Sequence, residues 1–284
     1  MQGRQVINRA TQMLCGLLAL ASGWALAEGE YSGSPTISII IDDMGNTLDT
    51  NQRAIALPAP LTFAFLPHLS HTPALAEQAY ANGHEIILHA PMENQHNLPL
   101  GPMALTSHMD STSLSQTLRE SITSIPFISG VNNHMGSLLT RDRLAMTTIM
   151  AEINRYPLYF VDSRTTPDSV AQKIAEAQGI PTLARDVFLD NETDFQSIHA
   201  QFSKLIDIAR HKGTAIAIGH PYPETIRYLE KVLPRLGEQG ISIASVKGIW
   251  AIRHNSQPMF AVPYTPSRSA ILARNVTANT THQE

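Results

Sequence analysis

The chain has 284 residues, 43% of them apolar, enough to bury a sizeable core in one large domain or two small ones. Charged residues make up only 15%, and a formal net charge of -4 provides no basic field to gather nucleic acid or an anionic membrane surface. The single cysteine, Cys15, lies close to the start, so disulfides and cysteine-based metal sites are excluded for the chain beyond it.

Residues 1–27 carry Arg4 and Arg9 with no acidic residue, then an apolar run from 13 to 27 that includes Leu14, Leu17, Leu18, Leu20 and Trp24. The run closes on Ala25-Leu26-Ala27. This is the pattern of a secretory signal peptide cut before Glu28. About 15 apolar residues fall short of the roughly 20 that cross a hydrocarbon core, so no stable membrane span is expected after cleavage. Cys15 opens the apolar run, whereas a lipoprotein carries its cysteine after it. The exported chain would then be free of thiols, which suits an oxidising compartment such as a bacterial periplasm. Residues 28–35 form a short N-terminal segment.

Apolar runs of strand length follow at 36–43, 61–67, 85–91, 127–134, 158–163, 182–189, 214–220 and 241–246. Most start roughly 25 to 30 residues after the one before, a spacing that suits βα units. The runs are nearly continuous rather than alternating, as in parallel strands covered on both faces. Between them, 74–81, 113–122, 143–155, 168–177, 194–212 and 223–238 place apolar residues at helical spacing. Gly83, Gly179, Gly213 and Gly240 stand just after four of these segments, where a helix end takes positive φ.

These elements predict an α/β fold, a (β/α) barrel of seven or eight units, either TIM-like or a distorted relative, with a doubly wound open sheet as the alternative. Asp42, Asp43, His89, His134, Asp162, Asp186 and His220 all fall near C-terminal strand ends, which converge at one mouth in a barrel. No linker divides residues 36–252, which are expected to form one domain. The polar tail at 253–284 is expected to be mobile.

The adjacent carboxylates Asp42 and Asp43 end a hydrophobic run, and on an extended chain they would point to opposite sides, one toward a metal and one toward a proton. Three strand-end histidines, His89, His134 and His220, repeat the arrangement. Asp and His ligands of this kind hold a divalent metal such as zinc and leave a position for water.

At these residues the chain resembles a family. IIIDDMG is similar to the Asp-Asp motif of the NodB-type polysaccharide deacetylases, and GHEIILHAPME to their Gly-His-Glu-Ile-x-x-His-[Ser/Thr]-x-x-His motif. LHAPME, NNHMGS, VDSRT and IGHPYPET resemble the divergent branch of that family, in the same order and over roughly residues 36 to 250. The resemblance implies hydrolysis of an N- or O-acetyl group on a cell-envelope polysaccharide or peptidoglycan-type glycan. By position it implies Asp42 as base, Asp43 and His89 as metal ligands, and His220 as acid. The family's second motif histidine corresponds to Glu93, so His134 is the expected third ligand. Glu93, Asp162, Arg164, Asp186 and Tyr222 would bind sugar or orient the histidines, although Arg and Asp at strand ends also form plain ion pairs.

Two other functions fit part of the pattern. A barrel with an altered metal motif could bind glycans or an envelope partner without turnover. Metal-dependent phosphoester hydrolysis would draw on Arg141, Arg143, Arg164 and Arg185. No P-loop or dinucleotide glycine pattern follows a predicted strand, and no Gly-x-Ser-x-Gly elbow is present.

Overall fold

The first strand, β1 (Thr36–Met44), is buried along almost its whole length. Its isoleucines serve two cores. Ile40 faces the sheet's concave interior, while Ile37, Ile39 and Ile41 face the surrounding helices. A parallel strand covered on both sides explains the unbroken apolar run. The computed structural model describes residues 33–255, so the expected signal peptide and nearly all of the expected tail lie outside the described residues.

Strand and helix then alternate: α1 (Leu48–Ile55), β2 (Thr62–Phe65), α2 (Thr72–Ala81), β3 (Glu85–Met92), α3 (Ser111–Ser124), β4 (Ile128–Met135), α4 (Arg143–Ile153), β5 (Tyr159–Asp162) and α5 (Ala171–Ala177). The series continues with β6 (Thr182–Ala184), β7 (Val187–Phe188), α6 (Phe195–Lys212), β8 (Thr214–Gly219), α7 (Pro223–Val232), β9 (Ser242–Ile243) and α8 (Val246–Arg253). Every strand pairing is parallel, in the order β6-β5-β4-β3-β2-β1-β8-β7. The two edge strands, β6 and β7, are consecutive in sequence and separated only by Arg185 and Asp186. Arg185 N donates to Asp162 O at the end of β5 (3.1 Å), and Asp186 N to Ile216 O of β8 (2.8 Å). The ladder therefore curls into a distorted (β/α) barrel whose ends meet through one peptide segment. The expected strand at 182–189 is this broken strand.

Two expectations need correction. The run at 241–246 supplies only the two residues of β9, paired to the start of β1, and is not an eighth stave. Residues from Val246 onward turn helical because Ser245 caps them, its Oγ accepting from Gly248 N. The segment 223–238 is helical only to Val232 and continues as two 3-10 turns, Leu233–Arg235 and Gly237–Gln239.

Helix α8 closes the base of the barrel. Val246 N donates to Thr62 Oγ1 (3.2 Å), Lys247 N to Glu85 Oε2 (3.3 Å), and Arg253 Nε to Thr214 Oγ1 (2.8 Å). These three acceptors are the first residues of β2, β3 and β8. Val246 and Ile249 pack into the interior cluster with Ile40, Ile87, Val161 and Ile218. Gly130 of β4 lies against Tyr159 in the same interior, where a Cβ would stand 2.5 Å from the ring. Gly213, at φ 85°, closes α6 and donates its N–H to Ala209 O (2.8 Å), as the sequence led us to expect. None of the described helices is long and apolar enough to cross a membrane.

Candidate active site

The base is filled by apolar side chains and α8, whereas the C-terminal mouth collects polar ones. At the end of β1 the expected alternation of Asp42 and Asp43 fails. Asp43 adopts φ 56°, and the pairing of β1 with β2 slips between Ile41 and Met44. Both carboxylates consequently reach the same imidazole. His89 Nε2 lies 3.6 Å from Asp42 Oδ2 and 3.2 Å from Asp43 Oδ1.

His134, directly above on β4, completes the cluster. Its Nδ1 is 2.9 Å from Asp43 Oδ1 and 3.1 Å from His89 Nε2. Asp43 Oδ1, His89 Nε2 and His134 Nδ1 thus form a triangle with edges near 3 Å. Asp43 Oδ1 is buried and has no well-aligned hydrogen-bond donor despite those short contacts. Two imidazole nitrogens and one carboxylate oxygen match the donor set of a divalent cation site, and the orphaned oxygen points to the same occupant.

The electrostatics agree. Burial opposes ionisation of Asp43, but His134 and His89 together hold its carboxyl well below the ordinary range. Burial likewise opposes charge on His89, yet Asp42 and Asp43 raise its proton affinity. The cluster thus couples two carboxylates to His89 and one of them to His134. Asp42 differs from its neighbour. Burial lifts its carboxyl above the ordinary range, against the pull of His89 and His220. A raised carboxylate is better matched to accepting a proton near neutral pH.

Asn132 of β4, fully buried, was not singled out from the sequence. Its Nδ2 donates to Asp42 Oδ1 (2.8 Å), and its Oδ1 lies 2.7 Å from His89 Nδ1. The reverse amide orientation would set an oxygen against a carboxylate. Asn132 therefore requires a proton on His89 Nδ1, which leaves the Nε2 lone pair facing the triangle.

His220 follows β8 and is fixed by Asp190, also missed from the sequence. Asp190 Oδ1 is 2.9 Å from His220 Nδ1, while its Oδ2 accepts from His220 N (2.6 Å) and Thr225 Oγ1 (2.8 Å). Burial disfavours a charged His220, but Asp190, Asp43 and Asp42 outweigh it and raise the pKa to about 9. Its Nε2 stands 3.8 Å from Asp43 Oδ2. Phe188 and Tyr222 flank the ring at centroid distances of 5.3 and 5.2 Å. Gly219 allows this fit, since a Cβ there would approach Asp190 Oδ2 to 3.3 Å.

Of the other expected residues, Tyr222 borders His220 and the rest make contacts elsewhere. Glu93 Oε2 accepts from Ser107 N (2.7 Å), the Ser107 hydroxyl and then that N–H lower its pKa, and Glu93 stays outside the donor cluster. Asp162 accepts from Arg164 N, Ser169 Oγ and Gln172 N, anchoring the loop into α5. Arg164 Nη2 donates to Gln172 Oε1 (2.8 Å). Asp186 Oδ2 accepts from Ile216 N (2.9 Å) and lies 3.6 Å from Arg253 of α8, so its contacts face the barrel base and not the histidines. Tyr222 is 40% exposed beside His220.

A family model described as divergent polysaccharide deacetylase matches residues 39–250. The uncharacterized protein YibQ of Escherichia coli K12 is 35% identical over 220 residues, 78% of this chain and 68% of that protein. An uncharacterized protein of Haemophilus influenzae is 34% identical over 214 residues, 75% of this chain and 76% of its own length. The crystal structure of an uncharacterized protein from Agrobacterium tumefaciens C58 superposes with a TM-score of 0.74 at 27% identity, covering 78% of this chain and 91% of that one.

Proposed function

We propose that this chain, which belongs to the divergent polysaccharide deacetylase family, is an exported, periplasmic, metal-dependent hydrolase that removes N- or O-acetyl groups from a cell-envelope polysaccharide. The observation that carries this reading is the meeting of Asp43 Oδ1, His89 Nε2 and His134 Nδ1 in one triangle at the barrel mouth. Zinc fits two imidazoles and a carboxylate. Held there, such a cation supplies a Lewis acid for an acyl carbonyl and for water.

The chain's own groups divide the proton transfers. Asp42, buried and with its pKa raised, accepts the proton of the attacking water. Asn132 holds the Asp42 carboxylate and the His89 ring in one network, so base and ligand keep a fixed separation. His220 is kept protonated by Asp190 and delivers its Nε2 proton to the departing amine or alkoxide as the acyl bond breaks. Tyr222 offers a ring face to the sugar beside His220.

One experiment decides this. Purified protein is analysed for bound zinc and assayed for acetate release from acetylated peptidoglycan and chito-oligosaccharides, in parallel with Asp42→Asn. Zinc at one per chain, with release that disappears in the variant, supports the enzyme. Glu93, where ordinary family members carry a ligand, favours a second reading, a glycan-binding barrel without turnover. Metal-free protein that binds glycans and releases no acetate would replace the first reading with that one.

A further inference from the structure

The mouth contains a cation that the proton transfers above do not use. Arg185 sits half-buried at the break between β6 and β7. Its Nε donates to Ser163 O (2.6 Å) and its Nη2 to Arg164 O (2.8 Å). Those two donors occupy one edge of the guanidinium. The end-on edge, formed by Nη1 and the other Nη2 hydrogen, has no acceptor among the described residues.

The guanidinium also lacks a counter-ion. Among the described residues, no carboxylate comes within 4.0 Å of Arg185 or of neighbouring Arg164. Asp162, Asp42 and Asp186 act on Arg185 only from longer range, and the Asp162 oxygens are already taken by Arg164 N, Ser169 and Gln172. Burial first, and then Arg164, work against the charge on Arg185. A partly buried cation without a partner is a standing cost that an incoming anion would relieve.

Ser163 gives an independent sign. It is 1% exposed, its N–H goes to Asn133 Oδ1 (2.9 Å), and its Oγ has no partner at all. Val161, two residues earlier, faces the barrel interior, and period-two alternation puts Ser163 on the same side at the level of the mouth. The Arg185 guanidinium carbon stands 5.1 Å over the Phe188 ring, and Phe188 in turn borders His220. The unpaired cation is thus linked, through one ring, to the residue placed to protonate the leaving group, and Ser163 adjoins the cation through its carbonyl.

We propose that Arg185 and Ser163 form a subsite for a carboxylate carried by the glycan, so that the preferred substrate is an acidic acetylated sugar. The free guanidinium edge presents two parallel N–H groups, which match the two oxygens of a carboxylate, and the Ser163 hydroxyl supplies a further donor. This rests on the deacetylase reading of the mouth and narrows its substrate class.

The test compares an N-acetylglucosamine–N-acetylmuramic acid tetrasaccharide with the same molecule after its lactyl carboxylates are reduced to alcohols. Binding is measured by calorimetry in Asp42→Asn protein, so that hydrolysis does not enter. The acidic form should bind roughly tenfold or more tightly, the fold-change of one charge-assisted hydrogen bond. Arg185→Gln should abolish that preference, Arg185→Lys should keep part of it, and Ser163→Ala should narrow it without changing affinity for the reduced form. Melting curves check that each variant is folded. If Arg185→Gln does not fold, Arg185→Lys and Ser163→Ala carry the comparison. Equal affinity for the two forms, no binding of either, a preference that survives in folded Arg185→Gln, or one undiminished in folded Arg185→Lys and Ser163→Ala overturns the subsite. Acetate release by the unaltered protein from neutral chito-oligosaccharides reports separately on deacetylation, so the two ideas fail independently.

Discussion

Replacing Asn132 by alanine removes two buried hydrogen bonds at once, 2.8 Å to Asp42 and 2.7 Å to His89, from a side chain with no exposed surface. The loss leaves Asp42 Oδ1 and His89 Nδ1 without partners. Each orphaned buried group costs about 1–3 kcal/mol, so the fold should lose roughly 2–6 kcal/mol. For a domain of this size that lowers the melting temperature by roughly 4–24 °C. Freed from Asn132, His89 can rotate or change tautomer, and zinc affinity should fall about 10- to 100-fold. Scanning calorimetry reads the first effect and competition titration with a chelator the second. Asn132→Asp makes a useful companion, since it keeps an acceptor for His89 but sets a second carboxylate against Asp42. It should retain more zinc affinity than the alanine variant while also losing stability. Asn132→Ala melting within about 1 °C of the parent and binding zinc equally well would refute the reasoning, because both buried groups would then have found other partners.

Three further outcomes are expected. His84 is buried, with Nδ1 accepting from Leu61 N (3.3 Å) and Nε2 donating to Ile55 O (2.8 Å), and burial lowers its pKa below the ordinary 6.5. The folded state therefore binds fewer protons than the unfolded one below that value, so this contribution is complete above pH 6.5 and shrinks as pH falls. Urea denaturation at about pH 7.5 and about pH 5.5 should show a smaller acid loss in His84→Gln than in the parent, and an equal loss would rule the residue out. Gly130→Ala forces a Cβ to within 2.5 Å of the Tyr159 ring and should cost about 1–3 kcal/mol in denaturation, partly recovered by adding Tyr159→Leu. His220→Ala should slow acetate release about 10²- to 10⁴-fold, and Asp190→Asn should fall between it and the parent, whereas an Asp190→Asn rate equal to the parent's would mean that the carboxylate does not support His220.

The strands could be read from the sequence because their evidence is local. Runs such as 36–43 and 214–220 are apolar on both faces, and the barrel's covering layers are what make them so. Asp43, His89 and His134 could be picked out one by one because each sits where such a run stops. Asp190 and Asn132 could not, since the reason each matters is a partner 30 or 43 residues away in the chain. The alternation expected for Asp42 and Asp43 failed for a different reason. It assumes regular extended backbone, and the left-handed Asp43 with its register slip turns both carboxylates toward His89. Helix α1 was missed because LDTNQRAI buries only Asn51, Ala54 and Ile55, too few for a helical stripe to stand out. Helix α8 begins at Val246, the last residue of a run that reads as a strand, and Ser245 caps it.

Helix α8 comes after every strand in chain order, yet it seats Val246 and Ile249 beneath Ile40, Ile87 and Ile218. A chain that appears progressively, from a ribosome or through a pore, can therefore assemble the whole sheet and still have an open floor. Until the last of these residues arrives, the lower interior of the staves faces water, and the intermediate is exposed to chaperones and proteases. A product that stops at β9 would lack Val246 and Ile249 and leave that apolar interior open to water, a sticky bowl rather than a slightly weaker barrel.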